Sequence, residues 1–325
     1  MAEGKKVLLS GMKPTGRPHI GNYFGAMKQF VDLVGQFDPH YIMVADYHAL
    51  NLIQNASDMR TFTHEMVLDY LAIGLDPDRV VFFKQSDVSE HTELAWIFDT
   101  ITTMPYLMRA HAYKDAEAKN KEISVGTFNY PMLMAADILL YDANIVPVGQ
   151  DQKQHVEYAR DTAQKFNHIF GEVFVMPESL IMSEVATVLG IDGRKMSKSY
   201  GNHIPLFATD EEIYKQVMSI VTDSKGVEEA KDPEKDNVFA LHKLFSTQDL
   251  PALEKRYREG GIGYKESKEL LAENIIKYIS PMRTQREELT KQDGLVERVL
   301  EEGARKAKVK ASETMLKVRR AIGVR

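Results

Sequence analysis

Val7-Leu8-Leu9 is an apolar run that stops at Ser10-Gly11, and Lys13-Pro14-Thr15-Gly16-Arg17-Pro18-His19-Ile20-Gly21-Asn22 follows almost at once. The run reads as a buried strand closed by turn residues. Pro14, Gly16, Pro18 and Gly21 keep the next stretch out of regular structure. From Gly21 to Val34 the apolar residues Tyr23, Ala26, Met27, Phe30, Val31 and Val34 take helical spacing. Strand, glycine-bearing loop and helix form the opening unit of a nucleotide-binding α/β fold, with an anion site at the helix start. At Gly21 a flat base or ribose can approach the backbone, and His19 and Asn22 offer hydrogen bonds to phosphate.

The unit repeats. Tyr41 to Ala45 reads as a second strand with Asp46-Tyr47-His48 at its carboxyl end, where open parallel sheets bind ligands. A helix follows over Met59–Ile73, then a strand over Val80–Phe83 and a helix over Thr92–Met104. Lys114 to Lys121 is a charged run expected to be a surface loop. A short apolar helix is expected over Met132–Leu140, a strand over Ile145–Gly149 and a helix over His155–Phe166; Ser183 to Gly193 reads as a connector. The alternation indicates a mostly parallel sheet covered on both faces. After Pro205 no strand pattern or repeat appears. Helices are expected over Asp210–Val221, Phe239–Phe245, Leu250–Arg258, Lys265–Ile279 and Pro281–Lys317. The expected organisation is therefore a Rossmann-like α/β domain over 1–205 and an all-α domain over 206–325, its C-terminal helix able to pack back on the first domain.

Composition sets the outer bounds. The 325 residues can bury a sizeable core. No apolar run approaches the ~20 residues of a membrane span, and the N-terminus lacks a secretory pattern. Cysteine is absent, which excludes disulfides, thiolate metal sites and a cysteine nucleophile and fits a reducing cytoplasm. A net charge of −6 argues against a general nucleic-acid coat protein while leaving room for a local basic surface.

Two further stretches carry chemistry. Lys195-Met196-Ser197-Lys198-Ser199 sets two lysines and two serines between Gly193 and Gly201. Lysine is a compact point charge on a flexible stem, and serine hydroxyls and backbone amides can complete a phosphate cradle. The ordinary alternative is a solvated basic turn. Asp137 lies inside an apolar helix, where an unpaired carboxylate costs several kcal/mol; it needs a donor from the protein or from a ligand.

His19-Ile20-Gly21-Asn22 resembles the first signature of class I aminoacyl-tRNA synthetases, and Lys195 to Ser199 is identical to the second. The stretches Tyr130 to Tyr141 and Ile145 to His155 resemble the amino-acid site of the tryptophanyl branch, and Thr222-Asp223-Ser224 also recurs there. The likeness spans nearly the whole chain. It implies ATP-dependent joining of L-tryptophan to tRNA(Trp) through an adenylate, with Mg2+ carried by ATP. It places Lys13, Pro14, Thr15, His19, Gly21, Asn22, Gly149, Gln150, Asp151, Ile181 and Lys195 to Ser199 (Lys195, Met196, Ser197, Lys198, Ser199) at ATP. Lys195, Lys198 and Lys13 fall to the triphosphate as the catalytic set.

An indole offers one N–H donor on a large apolar body, so its pocket needs one buried acceptor and apolar walls. Asp137 is the acceptor on this reading. Tyr130, Met134, Val146, Val148 and Leu9 are walls, and by resemblance His48 and Gln152 border the site. A tyrosyl enzyme is the neighbouring alternative. Archaeal-type tyrosyl relatives typically carry glutamine three residues before the matching aspartate; here Met134 stands in that place and cannot donate. Two departures stand out: Lys13 where many bacterial relatives have glutamine, and Leu9 where many have an aromatic. The resemblance further implies a cytoplasmic homodimer that meets its partner around Trp96 to Met108, and an anticodon-reading helical domain.

Overall fold

The computed structural model describes residues 6–118, 122–149, 153–181 and 187–325, without the side chains of 111, 112, 115 and 116. The chain divides into two compact units. One comprises 1–16, 30–183 and 293–325; the other comprises 17–29 and 184–292. The first signature segment falls with the later helices, and the C-terminal helix falls with the sheet.

The first unit is built on five parallel strands in the order β3-β2-β1-β4-β5: β1 Leu8–Met12, β2 His40–Val44, β3 Val81–Lys84, β4 Ile145–Val148 and β5 Glu178–Ile181. The order turns back beside β1, with β2 on one side and β4 on the other, which makes the β1/β4 carboxyl ends the switch point where ligands bind in such sheets. β1 runs through the expected turn residues, because Ser10 and Gly11 pair with Ile42 and Met43 of β2. β5 carried no legible strand pattern; its four residues alternate no buried face. The loop expected over Lys114–Lys121 is helical as far as Ala118, within His111–Ala118, and its residues 119–121 lie outside the described ones. The helix expected over Met132–Leu140 starts seven residues earlier, as Val125–Leu139, capped by Ser124, whose hydroxyl accepts from Thr127 N–H at 3.1 Å. Pro131 sits inside it.

Leu9, Tyr41, Met43, Phe83 and Val146 share one face of the sheet and pack with Met132, Ala135, Ala136 and Leu139 of that helix in one apolar core. The helix Leu295–Ala321 contributes Ala304, Ala307, Ala311, Met315 and Val318 to the same core. It lies against β3, the edge strand, so closely that a Cβ on Gly303 would fall 1.7 Å from the Phe82 carbonyl oxygen. Only glycine permits that approach. Arg319 bonds Glu93, and Lys310 bonds Asp142, so two cations of this helix are paired with the sheet unit.

The opposite face of β2 holds His40, 1% exposed, with neither ring nitrogen partnered among the described residues. Burial pushes its pKa down to about 4. The unfolded chain takes up a proton near the ordinary value of about 6.5 that the native state declines until pH 4, so stability falls as pH drops through that window. His40→Leu is expected to remove up to about 3 kcal/mol of this loss between pH 7 and pH 4. Urea midpoints across that range measure it; parallel curves for the two proteins would exclude the role.

In the second unit Phe24 meets Phe245 edge-on at 5.3 Å, and the Tyr23 hydroxyl meets that of Tyr278 at 3.2 Å. These contacts carry segment 17–29 into this unit. Its helices include Asp210–Met218, Asn237–Phe245, Leu250–Glu259 and Tyr264–Thr290. The last runs through Pro281, correcting the expected break at 280; the chain turns instead at Gly294, whose φ is +67°. Among the described residues no helix is long and apolar enough to cross a membrane.

Candidate active site

Lys13, Pro14 and Thr15 follow β1 directly, Gly149 follows β4, and Ile181 is the last residue of β5. All five thus stand at the carboxyl edge of the sheet. His48 stands beyond β2 in the short helix Asp46–Ala49. Asp46 ties that exit to the exit of β3: its Oδ1 accepts from Ser86 N–H at 3.0 Å. Gln150, Asp151 and Gln152 lie outside the described residues.

Tyr130, Met134 and Asp137 fall on one face of helix Val125–Leu139 by their i, i+4, i+7 spacing. Leu9 and Val146 are buried in the core on the sheet side; Met134 and Val148 are half-buried against it. The Tyr130 ring meets His48 edge-on at 6.2 Å, and its hydroxyl bonds His155 Nε2.

Asp137 is 2% exposed. Its partners come from the protein, beyond what sequence alone offered. Oδ1 accepts from Gln85 Nε2 at 2.8 Å and faces His91 Nδ1 at 2.6 Å; Oδ2 faces His48 Nε2 at 2.8 Å. Burial pushes the carboxyl upward, but the hydrogen bonds from His48 and His91 outweigh it and hold the pKa at about 2. A carboxylate has about four lone-pair sites. Three are engaged by the described residues, and the one left among them is on Oδ2. Among the described residues the carboxylate therefore keeps acceptor capacity for one further donor.

The second constellation unites both signature segments. His19 caps the turn Ile20–Asn22: its Nδ1 accepts from Asn22 N–H at 3.3 Å, while Asn22 Oδ1 accepts from His19 N–H at 3.1 Å. These atoms are thus engaged with each other, which leaves His19 Nε2 and Asn22 Nδ2 as the groups for a ligand. Burial lowers the His19 pKa to about 4, helped by His203 and Lys198, so the ring is neutral at pH 7. A Cβ on Gly21 would lie 3.3 Å from Met196 Cβ; the two signatures are in contact.

Met196 is buried and anchors its loop, Ser197 is half-buried, and Lys195, Lys198 and Ser199 are exposed. Asn202, 2% exposed, holds the loop from within. Its Oδ1 accepts from Ser197 N–H at 2.8 Å, and its Nδ2 donates to Lys195 O at 3.1 Å and Asp192 Oδ1 at 2.6 Å. Gly193 and Gly201 have φ of +78° and +63°, the left-handed bends this hairpin needs. The result presents two ammonium groups and the Ser199 hydroxyl, which bonds that of Ser197 at 2.8 Å, on one outward loop.

Sequence reasoning did not single out Gln85, His91, Tyr141 or Asn202 as site residues. His91 alone had a signal: it lies with Leu94 and Phe98 at i, i+3, i+7 on the buried face of helix Glu90–Ile101.

The family model for class I tRNA synthetases (W and Y) matches residues 1–280. The tryptophan–tRNA ligase of Fusobacterium nucleatum is 48% identical over 318 residues, covering 97% of each chain. That of Rhodopirellula baltica is 46% identical, covering 98% of this chain and 99% of its own. The structure of the Campylobacter jejuni tryptophanyl-tRNA synthetase complexed with ADP and tryptophan matches with a TM-score of 0.91 and 44% identity, over 98% of this chain and 99% of that one.

Proposed function

Since the chain belongs to the class I tRNA synthetases of tryptophan and tyrosine, we propose that it joins L-tryptophan to tRNA(Trp) in an ATP-dependent reaction through tryptophanyl-adenylate. The observation that carries the choice of amino acid is the carboxylate of Asp137, which three donors engage among the described residues, with Met134 one turn before it on the same helix. An indole N–H takes up the remaining acceptor capacity and asks for nothing else. A phenol hydroxyl would bring acceptor lone pairs as well, and Met134 has no hydrogen to offer them. The relatives of 44% identity and above, named as tryptophan–tRNA ligases, support the same reading.

In the first step the tryptophan carboxylate attacks the α-phosphorus of ATP, and the bond to pyrophosphate breaks. In the second, the terminal ribose hydroxyl of the tRNA attacks the adenylate carbonyl and AMP leaves. Neither step needs a protein nucleophile, so the chain contributes position and charge. We assign Lys195, Lys198 and Lys13 to the triphosphate, which enters with Mg2+ as Mg·ATP. His19, Gly21 and Asn22, with Met196, Ser197 and Ser199, are assigned to the nucleotide. Pro14, Thr15, Gly149 and Ile181 are assigned there as well. Tyr130, His48, Leu9, Val146 and Val148 are assigned to the tryptophan pocket.

Anticodon reading falls to the helices within 206–292. A second copy of the chain would cover Trp96 and Met104, which are 70% and 67% exposed, to form a homodimer. The cytoplasm is the proposed location. Amino-acid-dependent ATP–pyrophosphate exchange tests the central reading: tryptophan should drive it and tyrosine should not, by at least roughly 10²-fold. Equal exchange with tyrosine would overturn it.

A further inference from the structure

Beyond Asp137 lies a chain of buried groups for which the reaction has no direct use. His91 is 0% exposed; its Nδ1 faces Asp137 Oδ1 at 2.6 Å and its Nε2 faces the Tyr141 hydroxyl at 2.8 Å. Tyr141, also 0% exposed, sits four residues beyond Asp137, just past the same helix. Its ring packs between Tyr41 at 4.6 Å and Phe83 at 5.4 Å. No other partner of its hydroxyl is seen among the described residues.

Hydrogen accounting fixes the direction of the chain. A carboxylate only accepts, so Nδ1 must carry a hydrogen. The Tyr141 hydroxyl hydrogen then satisfies itself by donating to Nε2. This arrangement leaves no donor orphaned in a site closed to water, where an orphan costs as much as a lost hydrogen bond. Burial, with the charge of Asp137 as the next cause, keeps the phenol well above its ordinary pKa, so the hydrogen stays on it.

We propose that Tyr141 is a positioning residue for substrate selection: by donating to His91 Nε2 it holds the ring in the orientation that aims Nδ1–H at Asp137. Oδ1 is thereby saturated together with Gln85, and Oδ2 is aimed at the substrate's ring N–H. Without the Tyr141 hydroxyl the buried Nε2 lone pair loses its donor, and the imidazole is anchored at Nδ1 alone. The ring can then swing, Nδ1–H leaves its line to Oδ1, and the carboxylate is free to turn. The inference rests on the tryptophan reading above and extends it: the selectivity for an N–H over its isosteres is set two residues away from the substrate.

The experiment compares tryptophan with its benzothiophene analogue, in which sulfur replaces the ring N–H, in pyrophosphate exchange. For Tyr141→Phe the ratio of kcat/KM between the two substrates should contract by roughly fivefold to tenfold, within the range of one ordinary hydrogen bond. The loss should come from tryptophan, chiefly through KM, while the analogue changes little. A packing defect would lower both substrates together and leave the ratio intact; that result overturns the proposal.

His91→Leu, which deletes the donor itself, should contract the ratio at least as much, and serves if Tyr141→Phe is too unstable to assay. His91→Asn, which keeps a donor near Nδ1 and has no Nε2 for Tyr141 to anchor, should restore part of the ratio and make it indifferent to Tyr141→Phe. An unaltered ratio in His91→Leu also overturns the proposal. A wild-type protein that exchanges pyrophosphate with tryptophan but fails these comparisons loses only this inference; one that does not exchange at all loses the functional reading beneath it.

Discussion

Lys195→Ala is expected to slow tryptophan-dependent pyrophosphate exchange by roughly 10²–10³-fold, about 3–4 kcal/mol of transition-state stabilisation. The affinity for tryptophan should barely change. The backbone of Lys195 is fixed, its carbonyl accepting from buried Asn202, while its side chain is exposed. Truncation therefore removes a charge without disturbing the loop that carried it. As the carboxylate attacks, negative charge grows on the phosphate oxygens, and a mobile ammonium can follow it; ground-state binding of the amino acid draws on none of this. The readout is a fall in kcat with an unchanged KM for tryptophan. Exchange at wild-type speed would remove Lys195 from the mechanism.

Asp137→Ala should act on the other parameter. Tryptophan binding is expected to weaken by roughly 10²-fold or more, because the substrate loses a charge-assisted acceptor and three donors, two of them buried, lose theirs. His48, Gln85 and His91 all converge on this carboxylate. Asp137→Asn should be nearly as damaging despite its shape. Whichever way the amide turns, its NH2 group meets a donor: Gln85 and His91 on one side, His48 and the indole on the other. Calorimetric titration with tryptophan is the direct measurement, and unchanged binding in the alanine variant would reject the acceptor role.

Much of the α/β frame was legible because it is local. Apolar runs, glycine punctuation and helical spacing are properties of short windows, and they located four of the five strands. Where windows misled, longer-range pairing had overridden them. Ser10 and Gly11 look like a turn but complete a strand, since β2 supplies the ladder they need. Pro281 looks like a stop, yet the helix Tyr264–Thr290 continues through it.

The site was legible in its chemistry and not in its closure. Asp137 announced a buried acceptor, but nothing in sequence says that Gln85, from the exit of β3, and His91, from the next helix, converge on it. Such convergence is a product of the sheet order. The same holds for Asn202, an ordinary asparagine after a glycine until its three hydrogen bonds are seen to shape the lysine loop.

The contact between Gly303 and Phe82 bears on biogenesis. β3 is made within the first hundred residues, yet the helix that shields its open flank emerges only after residue 295. On the ribosome the half-built sheet must wait, its outer ladder available to any passing strand. A premature stop ahead of that helix would thus cost more than a tail: it would strip the guard from the oldest part of the fold and invite aggregation there.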